Sequence, residues 1–123
     1  MNKVLLIDGS QVLLDITKRI LERAGYTVHC AVGAEGAREI LADYSPDGIV
    51  LEVDLSDATG LDYYNELREK TSVPIMVLSN NKGDELTALQ AGANDFLKKP
   101  FDYEIMTARI GAMLKCTEKE GTH

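Results

Sequence analysis

Apolar and polar positions along this chain follow two rhythms, and the switches between them mark out its elements. Residues 3–7, KVLLI, form a short apolar run, the pattern of a strand covered on both faces. Val12, Leu13, Ile16, Ile20 and Leu21 then recur at helical spacing, with Ser10 placed to cap the amino end and Gly25 the carboxyl end. TVHCA (27–31) is a second strand, more polar and therefore nearer an edge. Helical spacing returns over 34–44 through Ala37, Ile40, Leu41 and Tyr44, and Ser45-Pro46 closes it. GIVLEV (48–53) is the third strand, and Leu61, Tyr64, Leu67 and Arg68 place a third helix over 61–70. PIMVLS (74–79) is the fourth strand, with Pro74 at its start, where a missing donor does least harm. A short helix over 84–91 ends at Gly92, DFLKK (95–99) is the fifth strand, and Asp102 caps a last helix to about Leu114. The remainder, KCTEKEGTH, is polar and reads as a fraying tail or the start of a linker.

Strands alternating with helices in this way are βα units joined by right-handed crossovers. They predict a three-layer α/β fold, a five-stranded parallel sheet with five helices on its two faces. The expected organisation is one domain over 1–115, followed by a polar tail or linker start over 116–123. In such open sheets, ligand and catalytic groups collect beyond the carboxyl ends of the strands, near the topological switch point.

Composition narrows the function classes. At 123 residues, 45% hydrophobic and 27% charged, the chain has enough apolar content for one core. A net charge of −7 argues against direct nucleic-acid binding, which needs lysine and arginine in excess, and suits protein partners or cations. No run of apolar residues is long enough to span a membrane, and the opening MNKVLLIDGS reads as a strand instead of a signal peptide. Cys30 and Cys116 stand far apart in no metal-like spacing. Two reduced thiols in a cytoplasmic protein are the expectation.

The carboxyl ends of the predicted strands carry Asp8, then Glu52 and Asp54, then Ser79, then Lys99. Each alone has a bland reading. An aspartate at a strand–helix junction is commonly a cap, a serine there bonds its own turn, and a lysine before proline is a solvated loop residue. Together they bring carboxylates, a hydroxyl and an ammonium to the one edge where the fold rule expects chemistry.

Three separated stretches, KVLLID at the start, PDGIVLEVDLSDATGLDYYNELR (46–68) and AGANDFLKKPF (91–101), occur in an order and spacing that resemble a known family. The sequence is similar to the receiver domain of response regulators, the CheY-like domains of two-component signalling. The resemblance covers about residues 3–114. It implies a flavodoxin-like sheet of order 2-1-3-4-5 and a signalling module, not an enzyme. It also implies magnesium-assisted phosphoryl transfer to an aspartate after the third strand. Acids after the first strand and a main-chain carbonyl two residues beyond the acceptor would help hold the ion, and catalysis would be positioning and electrostatics. Ser79 matches the family's hydroxyl position, Phe96 the aromatic switch position, Lys99 the lysine and Pro100 the proline after it, where a cis bond suits a tight turn. The resemblance further implies protein partners, a histidine kinase or an attached output domain. They would meet the fourth helix, fifth strand and fifth helix, a face that also suits a homodimer.

Two departures fall in the reaction site. The acid pair is reduced to Asp8-Gly9, and Glu52 stands at the phosphoacceptor position. Glutamate's extra methylene carries the carboxylate outward by roughly 1.5 Å, and an error of about 1 Å can cost on the order of 100-fold in a reaction that depends on positioning. Weakened magnesium binding follows, because that ion tolerates poor octahedral geometry badly. The expectation is therefore no resident cofactor and a degenerate receiver that works by protein–protein contact. Glu52 either pairs with Lys99 to hold the site in one state or is a solvated acid left after the chemistry lapsed. Asp54 is either a substitute acceptor or metal ligand, with Asp8 the other weak metal candidate, or a solvated loop acid. The competing functions are a receiver still phosphorylated at Asp54 or Glu52 with weak magnesium binding, and a small flavodoxin-like ligand-binding module. The segment from Ser79 to Lys99 is also shorter than is usual in the family, which affects the fourth helix.

Overall fold

The computed structural model describes residues 2–121, with side chains described through Cys116. Its elements run β1 (Lys3–Asp8), α1 (Gln11–Arg23), β2 (Thr27–Val32), α2 (Gly33–Leu41) and β3 (Gly48–Glu52). They continue with α3 (Gly60–Lys70), β4 (Ile75–Ser79), α4 (Asp84–Gln90), β5 (Asp95–Lys98) and α5 (Tyr103–Gly121). The strands form one parallel sheet of order β2-β1-β3-β4-β5. This is the flavodoxin-like, CheY-like topology that the resemblance implies, with β2 at an edge as its polarity suggested.

Successive strand residues point to opposite faces, and the core divides accordingly. Leu5, Ile7, Ile49, Leu51, Ile75 and Val77 pack with residues of α2, α3 and α4 on one face. Val4, Leu6, Val50, Met76 and Leu78 pack with α1 and α5 on the other, against Leu14, Leu21, Met106 and Ile110. Both layers are dry, which explains why the central strands are apolar without alternation.

The helix ends follow local chemistry. Ser10 Oγ accepts the Leu13 N–H at 3.3 Å, and Asp102 Oδ1 accepts the Glu104 N–H at 2.8 Å, so both expected caps form. Gly25 follows α1 with φ of 102°, the left-handed stop that glycine takes without a Cβ penalty. Three expectations need correction. The buried residues of α1 are Leu14 and Leu21, whereas Val12, Leu13 and Ile16 are exposed, because the helix is rotated from the orientation that the apolar spacing suggested. α2 ends at Leu41, short of Tyr44. α5 passes Leu114 and runs to Gly121, through most of the polar stretch expected to fray, while the last two residues of that stretch lie outside the described residues. Among the described residues no helix is long and apolar enough to cross a membrane.

Arg68 shows how the amino-terminal edge of the sheet is tied down. Its Nη1 donates to the Val73 carbonyl at 2.7 Å, Nη2 to Asn94 Oδ1 at 3.2 Å and Nε to the Tyr64 hydroxyl at 3.0 Å. Asn94 Oδ1 also accepts the Ile75 N–H at 2.9 Å, so one cluster joins the end of α3, the start of β4 and the approach to β5. Arg68→Ala is expected to lower the unfolding free energy by roughly 2–3 kcal/mol, the range for hydrogen bonds to a charged group. The exposed control Leu86→Ala should change it by less than about 0.5 kcal/mol. Urea denaturation measures both, and equal midpoints for Arg68→Ala and the parent would refute the tie.

Candidate functional site

A sheet buried on both faces can present polar groups only at its ends, and the carboxyl ends here open into a cavity of about 230 Å³. β1 brings Asp8 to it, β3 brings Glu52 with Asp54 just beyond, and the segment after β5 brings Lys99. Ser10, Ser56 and Asn80 complete the polar lining. The Lys99–Pro100 peptide bond is cis.

The central contact is between Lys99 Nζ and Glu52 Oε2, 2.6 Å apart. Glu52 is only 2% exposed, so the reading of it as a solvated leftover acid is wrong and the expected Glu52–Lys99 pair is present. Its other oxygen, Oε1, accepts the Asp54 N–H at 3.3 Å. Oε2 is buried and meets no donor in good hydrogen-bond geometry, so the contact with Lys99 is one of opposite charges at short range. Burial pushes the Glu52 carboxyl above its ordinary range, and Lys99 pulls it back only in part. Asp8 is raised for the same reason, with the Ser10 N–H and Lys99 acting against burial.

Over the other side of the cavity lies the loop between β3 and α3, held at three points. Asp54 and Thr59 form an antiparallel bridge. Ser56 takes a left-handed φ of 71°, uncommon for a residue with a side chain. The Asp57 carboxylate crosses to α2 and accepts the Ala34 and Glu35 N–H groups at 3.0 and 3.1 Å, which holds it below the usual carboxylate range. Gly9 sits directly under this loop. A Cβ there would lie 2.7 Å from Ser56 Oγ, 3.0 Å from the Leu55 carbonyl carbon and 3.1 Å from the Asp54 carbonyl oxygen. The place where the resemblance puts a second acid is thus crowded, first by the Ser56 hydroxyl and less tightly by the Leu55 and Asp54 backbone. Asp54 itself is an exposed loop residue whose Oδ1 accepts the Ser56 N–H at 3.4 Å. Among the described residues, no group of three His, Cys, Asp or Glu side chains is placed to hold a metal ion.

Ser79 ends β4 where expected but does not join the cavity lining. Its hydroxyl donates to Asp84 Oδ2 on α4 at 2.6 Å and accepts the Asn81 N–H at 2.9 Å. Phe96 is 4% exposed and packs into the α2–α3–α4 layer. Sequence reasoning missed four participants: Ser56, Asn80, Asp57 and Asp84. An acid five residues past Ser79, at the start of a predicted helix, was a usable signal for Asp84. Asp57 had none, because it caps a helix more than twenty positions earlier.

Comparison with known proteins decides the family. The sequence profile of the response regulator receiver domain matches residues 4–111. This chain belongs to that family. A two-component response regulator from Clostridium difficile is 32% identical, with 94% of this chain and 97% of that one covered at a TM-score of 0.87. A CheY-like receiver domain protein from Methanospirillum hungatei JF-1 shares the fold at 23% identity and a TM-score of 0.91, covering 98% of each chain. NtrX from Brucella abortus, solved in complex with ADP, shares it at 23% identity and a TM-score of 0.92, covering 99% of this chain and 29% of its own. Receiver domains are in general signalling modules of two-component systems, not enzymes, and they interact with kinases or output domains.

The electrostatics of this receiver site give a pH test. Glu52 has a folded-state pKa above its ordinary value of 4.5. The folded state therefore holds this proton to higher pH than the unfolded state. The stabilising contribution is full below 4.5 and is lost as pH rises through the folded value. The unfolding free energy of the parent minus that of Glu52→Gln should accordingly fall as pH rises across that window. Any advantage of the parent should therefore be smaller at neutral pH than at pH 4.5. Denaturant melts at a series of pH values check this, and a parent advantage that grows with pH would reverse the assignment.

Proposed function

We propose that this receiver domain signals by protein–protein contact without accepting a phosphoryl group. The observation that carries the reading is the Glu52–Lys99 pair. In the family's reaction the lysine neutralises charge on the transferring oxygens and the strand-end acid attacks. Here each already occupies the other at 2.6 Å. The residues present do not fit a magnesium ion. One expected acid is a glycine crowded by the Ser56 hydroxyl, and among the described residues no three His, Cys, Asp or Glu side chains are placed together to hold an ion. Ser79, which would bond the phosphoryl group, spends its proton on Asp84. Family membership favours this reading over a flavodoxin-like ligand binder.

The partner surface is the α4–β5–α5 face, where Leu86 and Leu89 on α4 and Ile105 on α5 are exposed. A histidine kinase, an attached output domain or a second copy of the chain would meet it there, in the cytoplasm. The receiver unit is residues 1–115, and α5 continues from it without a break through Gly121. A second reading keeps phosphorylation at Asp54, because that carboxylate is exposed and lines the cavity.

Incubation with acetyl phosphate and magnesium, followed by intact mass measurement, tests the proposal. The parent mass should stay unchanged, and Glu52→Asp alone should not create an acceptor, because Gly9 still supplies no carboxylate beside Asp8. A stoichiometric gain of one phosphoryl group on the parent would overturn the reading, and its location on Asp54 would establish the second.

A further inference from the structure

At the opposite end of the sheet lies a larger cavity, of about 500 Å³, between the carboxyl ends of α2 and α3 and the segments that lead into β3 and β4. Its volume falls in the range of about 300–1,000 Å³ typical of small-molecule sites. Leu41, Leu67 and Val73 give it apolar walls, and Arg38, Tyr44 and Lys70 contribute hydrogen-bond donors. No aspartate or glutamate lines it.

The donors are not used up by the protein. Arg38 spends Nε and one Nη2 hydrogen on Glu66, at 2.7 and 2.9 Å, and one Nη1 hydrogen on Glu35 at 3.0 Å. A guanidinium carries five N–H donors, so two remain. The group is held still by those acids and by the Tyr63 ring, whose centroid is 5.3 Å from its central carbon. The Tyr44 hydroxyl is buried with no hydrogen-bond partner, a position that normally costs free energy. Lys70 meets Glu66 only at 3.6 Å and keeps most of its side chain in solvent.

Unspent donors beside apolar walls, with no acid among the lining residues, call for a ligand that has an apolar body and an anionic acceptor. We propose that the cavity bounded by Arg38, Tyr44, Lys70, Leu41, Leu67 and Val73 is a binding site for a small aromatic carboxylate. The ring lies against the leucine and valine walls, and the carboxylate takes the free hydrogens of Arg38 with the Lys70 ammonium beside it. The site is remote from the carboxyl-edge cavity and does not depend on whether that edge accepts phosphate.

The test is a titration of the isotope-labelled 123-residue chain with 1-naphthoate, followed by amide chemical shifts. Expected are saturable shifts clustered at Leu41, Tyr44, Leu67 and Val73, and binding of the neutral analogue 1-naphthalenemethanol weaker by about tenfold or more. Lys70→Gln should weaken 1-naphthoate by about two- to fivefold. Ala42→Trp, a change at an exposed cavity residue, should abolish binding while the dispersed amide spectrum of a folded chain persists. Shifts that do not saturate, that cluster elsewhere, that are as strong with the alcohol, or that survive Ala42→Trp would each overturn the proposal.

Discussion

A parallel sheet packed dry on both faces leaves its polar residues one outlet, the edge where the strands end. At that edge a lysine and a glutamate are close enough that neither charge has water as its main partner. Attraction at 2.6 Å is strong in so enclosed a place, but the carboxylate has also surrendered its hydration. Burial raises the Glu52 carboxyl, and Lys99 offsets part of that rise. What the pair contributes is direction, because it sets where a long acidic side chain and a long basic one point.

Around that pair, neighbouring elements close in on the carboxyl edge. The Asp54 carbonyl lies beside Gly9 under a loop anchored to α2 through Asp57. The Ser79 hydroxyl is drawn toward α4 by Asp84. These contacts do not share atoms, yet together they turn an open reaction edge into a set of internal contacts. The same set links β3, β4, α2 and α4, so a partner that moves α4 would act on Ser79, the residue that ends β4 beside the cavity.

Much of this was legible in the sequence. The alternation of apolar runs with helical spacing located all ten elements, and the strand-end rule brought Asp8, Glu52, Asp54 and Lys99 to one place. The chemical length of glutamate offered two outcomes, a pair with Lys99 or a solvated acid, and burial at the strand end selects the pair. The failures have physical causes. Val12 and Ile16 looked like core because periodicity gives a face but not which of two adjacent apolar stripes turns inward, and Leu14 won. The polar end of α5 looked like a tail because its composition offers no apolar face, although an existing helix can be extended without one. Ser79 was placed correctly and oriented wrongly, since strand position fixes where a hydroxyl is and not which neighbour it chooses. Asp57 could not be found locally at all, because its partners lie on α2.

Asp57 carries a further consequence. Its carboxylate sits on the β3–α3 loop yet completes the hydrogen bonding of the first turn of α2. Lifting that loop would leave two amide groups of a neighbouring helix without acceptors, so the cover over Gly9 and the start of α2 are mechanically one piece.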